Sequence, residues 1–267
     1  MLRRRSRASW RLQGHIMRVE RLYRYPVKGL TAEALDEAQV KPGRAIPWDR
    51  AFALAQGDSL FDPEKPGWRP KTEFMCLRAN AAIAALQASF DPSTGTLLIQ
   101  APDGSRVAEN ALRAEGRERI GAWLTRFLGP EARGTPRFYH IEGHSFGDQK
   151  HQVVSLINLA SLAEYEAKLG ARRHKRRFRP NIWFDGAAPM SELGWIGREL
   201  LVGTARLRVT RRIPRCPATE VNPITAVRDA DPVAELKRLY GHADLGIHAE
   251  VVEAGRIAPG DAIEILS

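Results

Sequence analysis

The chain has 267 residues, 43% apolar and 27% charged, which is enough for one large domain or two modest ones with a true core and excludes disorder as the default. Its two cysteines, Cys76 and Cys216, lie far apart, so they exclude a disulfide framework and a cysteine-held iron–sulfur cluster and fit a reducing compartment. The net charge is +10, and no apolar run reaches the ~18 residues of a membrane span.

Half of the basic excess is a tail. Residues 1–16, MLRRRSRASWRLQGHI, carry five arginines and no acid, and without them 36 basic residues face 31 acidic ones. The tail lacks the apolar stretch of a secretory signal. It reads either as an extension ahead of a start at Met17 or as an organellar transit peptide. Heavy alanine and arginine usage suggests a GC-rich bacterial gene and, with it, a cytoplasmic protein.

The first half reads as short strands. These are expected over residues 17–25, 34–40, 51–56, 81–90 and 96–100, the last two flanking the hairpin loop Asp91-Pro92-Ser93-Thr94-Gly95. Strands this short and close argue for a barrel or sandwich rather than alternating βα units. Over 110–128 the period becomes helical, with Leu112, Ile120, Trp123, Leu124, Phe127 and Leu128 on one face and Gly129-Pro130 as the stop. A turn-rich connector follows at 129–136. Beyond it come a strand at 153–157 and a helix capped by Asn158, with Leu162, Tyr165 and Leu169 inward and Gly170 past its end. Further strands are expected at 181–184, 200–209, 249–252 and 262–266, and a short helix at 232–240 begins with proline.

RRIPRCPATE, residues 211–220, stands out. The 200–209 strand alternates Leu207 and Val209 with Arg206 and Arg208, and Pro214 should end its pairing. Cys216 then lies on a stiff loop behind three arginines. Such cations favour a thiolate, the form that binds a soft metal, attacks an electrophile or carries sulfur. The plain alternative is a small buried thiol. Cys76, in EFMCLRAN, has no such setting and reads as buried.

Six segments, in order, carry a resemblance. They are YPVKGL (25–30), WDRAFAL (48–54), INLASLAEYEAKLG (157–170), FRPNIWFDG (178–186), RCPATEVNP (215–223) and GRIAPGDAIEIL (255–266). With them the chain resembles the MOSC family, the domain named after the C-terminus of molybdenum cofactor sulfurase, and within it the two-lobed amidoxime-reducing branch. The resemblance implies a β-rich α+β fold. A basic tail at 1–16 would precede an N-terminal β-barrel lobe (17–135), packed on a C-terminal MOSC β-barrel domain (136–267) with a few helices.

The resemblance also implies a molybdenum cofactor, a molybdenum–pyranopterin, with Cys216 as the metal ligand. Lys28 matches a phosphate contact, and Arg50 and Arg179 match cofactor-contacting arginines. Asn181 and Arg215 match polar positions beside the site. Asn158 and Ser161 fall where a helix start lines the pterin pocket, Asn158 departing from the usual Ser or Thr. Thr219 and Asn222 would shape the cysteine loop. The bland readings are solvated charges for Lys28 and Arg50, a cap for Asn158, and turn closure for Thr219 and Asn222.

The activity so implied is an oxidoreductase acting on small N-hydroxylated or N-oxide substrates. Lacking a cluster or flavin motif, it would draw electrons from a separate ferredoxin-, flavodoxin- or cytochrome-type donor. The alternative is a sulfur carrier or cofactor-handling protein using a Cys216 persulfide. A third idea, nucleic-acid binding by the basic run ARRHKRRFRP (171–180), has no surrounding motif. His140 and His144 have a spacing that can bind zinc on a helix, but Gly143 argues against a helix and no third ligand stands near, so they read as surface histidines.

Overall fold

The computed structural model describes residues 16–266; residues 1–15 of the basic tail, with both readings of it, lie outside them. The first half forms β1 (Met17–Arg24), β2 (Glu33–Leu35), β3 (Ala38–Val40), β4 (Phe52–Ala55), β5 (Gln87–Asp91), β6 (Thr96–Gln100), β7 (Arg106–Asn110) and helix α1 (Ala114–Leu128). The second half forms β8 (Arg137–His140), β9 (Val154–Asn158), α2 (Leu159–Leu169), β10 (Ile182–Asp185), β11 (Glu199–Val202), β12 (Ala205–Pro214), α3 (Pro232–Tyr240), β13 (Asp244–Glu253), β14 (Gly255–Ile257) and β15 (Ala262–Ile265).

Seven strands close a barrel in the order β1-β10-β9-β13-β12-β11-β15 and back to β1. One pair, β9 and β10, is parallel. Parallel neighbours need a crossover, and α2 supplies it. Apolar side chains at alternate positions fill the interior, among them Val154, Leu156, Leu207, Val209, Ile247 and Ala249. In β1 the inward residues Val19 and Leu22 stand three apart, because the register shifts between Val19 and Arg21. β1 comes from the first half of the chain, so the barrel closes only with a strand from far upstream.

The remaining first-half strands build a second core. β5-β6-β7 form one sheet and β4-β8 another, with α1 laid against them. Ile120, Leu124 and Leu128 of α1 meet Phe52, Leu54, Phe90, Leu97 and Phe138 there. α2 and α3 share a third cluster with Ile157, Tyr165 and Trp183.

Several expected elements differ. The 34–40 strand breaks into β2 and β3, which join different sheets. Residues Ala81–Ala85 form a 3-10 turn instead of a strand, because Ile83 and Leu86, three apart, must both enter one core. The 200–209 strand is a hairpin, β11 and β12, turning at Gly203 with φ 59°. The helix expected from 110 starts at Ala114 because β7 runs on to Asn110, and Leu112 is left exposed. β7 and β8 escape the sequence reading; β8 is four residues long and buries mainly Phe138.

Candidate functional site

β12 ends where proline requires. Its last ladder partner is Pro214 opposite Asp244, and the chain then turns. The Cys216 carbonyl accepts the Thr219 N–H at 3.0 Å and the Thr219 hydroxyl at 2.9 Å, which folds residues 216–219 into one tight turn. Arg215 anchors the turn from behind, donating to the carbonyls of Phe178 (2.9 Å) and Leu245. Cys216 is half-buried and lines a cavity of about 430 Å³. The Lys71 ammonium stands 3.6 Å from its Sγ.

Seven lysines and arginines line this cavity against one carboxylate, Asp148. Lys28 is buried, not solvated, and donates to Asp148 at 2.5 Å and to the Phe146 carbonyl at 2.8 Å. Lys71 shares the same carboxylate at 2.8 Å. Burial would raise the Asp148 pKa, but the two ammonium groups outweigh it and hold the carboxyl well below its usual range. Burial likewise opposes the charge on Lys71, and Asp148 and Cys216 overcome it, raising the Lys71 pKa.

Arg50 and Arg179 flank one phenol ring, their guanidinium carbons 4.4 and 4.3 Å from the Tyr25 centroid. Arg50 is paired with Asp49 at 2.5 Å. The Arg179 guanidinium meets no protein acceptor among the described residues, and burial brings its pKa down to about 10. Both residues hold left-handed backbone, φ 52° and 51°, a strain that clusters at working sites. Beside Lys28, Gly29 has φ 88°, and a Cβ there would lie 2.8 Å from Ile83 Cδ1. Its left-handed backbone and the close approach of Ile83 and the Met75 carbonyl both require glycine there.

Cys216, Lys28, Arg50, Arg179, Arg215 and Thr219 therefore converge on one space. Asn158, Ser161, Asn181 and Asn222 do not line it. Asn158 is fully buried, caps α2 through the Ala160 N–H, and donates to the carbonyls of Ala187 and Ala188. Ser161 is bound to Glu192 at 2.8 Å and to the Met190 N–H at 2.7 Å. Asn222 joins Asp229 and the Ile224 N–H in its own loop. Asn181 pairs with Ser155 and faces a smaller adjoining chamber of about 130 Å³. Replacing Asn158 by alanine is expected to cost about 1–2 kcal/mol of stability, from the lost cap and two unmet carbonyls. Urea denaturation measures this, and an unchanged midpoint would contradict it.

Sequence reasoning missed Lys71, Asp148, Ser155 and His248, and read Cys76 as merely buried. Cys76 is buried, yet it lines the Cys216 cavity. None of these residues sits in a local pattern, and only the fold gathers them.

His248 lines both chambers. Burial first, then the charges of Arg215, Arg211 and Arg50, push its pKa down to about 3. An unfolded imidazole titrates near 6.5 (about). Between those values the unfolded chain binds more protons, so stability falls as pH falls. In His248→Gln the loss of stability from about pH 6.5 to about pH 4 should be shallower than in the parent. Equal slopes in urea titrations would count against this.

Three of the six lysines and arginines in the basic run are paired internally. Arg172 pairs with Glu166, Arg173 with Glu235 and Arg177 with Asp229. His140 and His144 are half-buried at the surface, each packed on aromatic rings. His140 packs on Phe52 and bonds the Ala51 carbonyl, while His144 lies against Phe61 and Phe146. Among the described residues no three His, Cys, Asp or Glu side chains group as a metal site. No helix among them is long and apolar enough to cross a membrane.

Residues 142–264 match the MOSC domain, and residues 16–131 match the MOSC N-terminal beta barrel domain. The chain belongs to the MOSC family. The chain is 25% identical to human (Homo sapiens) mitochondrial amidoxime-reducing component 1, over 96% of this chain and 85% of that one. It is 29% identical to human mitochondrial amidoxime reducing component 2 over 53% of this chain, spanning about half (49%) of that relative. Molybdenum cofactor sulfurase of Danio rerio is 22% identical over 85% of this chain, which spans 31% of that protein. Two of these relatives are thus named for amidoxime reduction and one for the molybdenum cofactor. β1 lies within the N-terminal match yet closes the barrel built by the MOSC strands.

Proposed function

We propose that this MOSC protein is a molybdenum-dependent oxidoreductase whose cavity holds a molybdenum–pyranopterin with Cys216 as the protein ligand. The observation that carries the reading is one half-buried thiol on the wall of a cavity in which seven cations face a single carboxylate. The donor set suits such a group. A thiolate is a soft ligand, and a phosphate ester calls for unpaired cations such as Arg179. When bound, the cofactor would supply two-electron oxygen-atom chemistry.

The chain's own part is ligation, orientation and charge. Cys216 is held in a closed turn by Thr219. Lys28, Arg50 and Arg179 would hold the phosphate end, and Lys71 sets a positive charge beside the sulfur. Asn181, Asn158 and Ser161 would act through the walls they brace, and Asn222 through the loop after the cysteine. The proposed substrates are small N-hydroxylated compounds or N-oxides. Removal of the oxygen takes two electrons and two protons and releases water. A separate ferredoxin-, flavodoxin- or cytochrome-type protein would deliver the electrons.

Protein produced in a host that makes the cofactor should reduce an amidoxime to the amidine with reduced viologen as artificial donor. Full metal loading with no turnover of amidoximes, hydroxylamines or N-oxides would overturn the substrate assignment. A sulfur-carrying role is favoured by one feature, the accessible Cys216 beside the Lys71 ammonium. Mass spectrometry separates the readings: metal-free protein whose Cys216 accepts one sulfur from a persulfide donor is a carrier.

A further inference from the structure

β13 lies between β9 and β12, with His248 opposite Ser155 on one side and Arg211 on the other. Alternation sends Ile247 and Ala249 into the barrel, so Ser155, His248 and Arg211 form a row on its outer face. His248 lines both the Cys216 cavity and the smaller chamber beside it, which also share Arg50 and Asp148, the carboxylate of Asp148 being paired with Lys28 and Lys71. Among the described residues its Nδ1 is sealed from solvent and has no hydrogen-bond partner, whereas Nε2 is neither sealed nor bonded to any of them.

That asymmetry decides which nitrogen carries the proton. A neutral imidazole has one N–H and one lone pair. A donor buried without an acceptor is among the rarest features of native proteins, and an unmet acceptor is better tolerated. The proton therefore sits on Nε2, which faces the cavities.

We propose that His248 is a ligand-binding residue whose Nε2–H donates to an oxyanion of the phosphate-ester class, held beside Arg50 where the two chambers meet. Being uncharged, the imidazole adds a directed donor without adding to the local positive charge. The arginines around it supply the attraction, and His248 fixes the orientation. The assignment of that anion to the cofactor rests on the function proposed above; the donor role itself does not.

The test uses the full chain with ¹⁵N-labelled histidine. Before any anion is added, long-range ¹H–¹⁵N spectra should place the His248 proton on Nε2. Inorganic phosphate should then move the Hε2 signal downfield. By calorimetry, His248→Phe should weaken phosphate binding by about tenfold, and His248→Gln, which keeps a side-chain donor, should regain most of it. A proton on Nδ1, ring signals unmoved by phosphate, no phosphate binding at all, or Phe and wild type binding alike would each overturn the proposal. No readout involves molybdenum, so a protein that never takes up metal yet shows these shifts would sink the molybdenum reading and leave the His248 role standing.

Discussion

Cys216→Ser should strip the protein of molybdenum. Purified from a host that makes the cofactor, the parent is expected to carry close to one metal per chain, and the variant less than about a tenth of that. The reason is chemical rather than steric. Serine fits the same turn, since Thr219 bonds the carbonyl of residue 216 and not its side chain. The change removes a soft sulfur ligand and leaves a hard hydroxyl in its place. Lys71, poised 3.6 Å from the sulfur, would then stand beside that hydroxyl. Metal is read by mass spectrometry and pterin by fluorescence of its released, oxidised form. Full metal retention in the variant would remove Cys216 from the ligand role. Absence of both metal and pterin from the parent would move the assignment to sulfur handling.

The second large effect concerns Arg177. It is 6% exposed, and its guanidinium donates to the carbonyls of Thr219 (3.3 Å) and Glu220 (2.7 Å) and pairs with Asp229. One side chain thus ties the segment after Cys216 to the segment before Arg179. Leucine there would leave two carbonyls without their donor, while Asp229 keeps its bond from Asn222. The expected loss is about 2 kcal/mol, mainly from the unmet carbonyls, because the Asp229 side chain is 40% exposed and its ion pair counts for little. Guanidinium denaturation gives the stability change. A parallel measurement of Cys216 alkylation should show a faster reaction, because the turn that restrains the thiol is loosened. An unchanged midpoint together with an unchanged alkylation rate would mean that Arg228 alone holds the segment. Its guanidinium already bridges Pro217 and Glu220 to the carbonyls of Leu77 and Arg78.

Where the chain's own pattern was strong, the sequence was enough. Pro232 and Gly241 bracket α3 as the cap and stop signals require. Pro214 ends β12 where its missing N–H must end a ladder. The cysteine turn is legible because the hydrogen bonds that close it, from Thr219 to the Cys216 carbonyl, are local. Lys28, Arg50 and Arg179 were legible through motifs, since no spacing rule singles them out. Asn158 and Ser161 were read toward the cavity, and the structure turns both into the contacts between α2 and the 187–192 loop.

By itself, then, the sequence determined a β-rich chain, a single thiol in a stiff cationic turn, and the residues that its own motifs mark. The tertiary structure decided the rest. Only barrel closure by β1 brings Lys28 and Tyr25 to the second half of the chain. Only the packing of the first-half core on the barrel sets Lys71 beside Cys216, from 145 residues upstream. Only the β9–β13–β12 register lays His248 between Ser155 and Arg211. The reason is common to all three. A local pattern encodes what neighbouring residues do to one another's backbone, whereas a cavity is made of side chains whose only relation is that burial of two separate apolar cores forces them to meet.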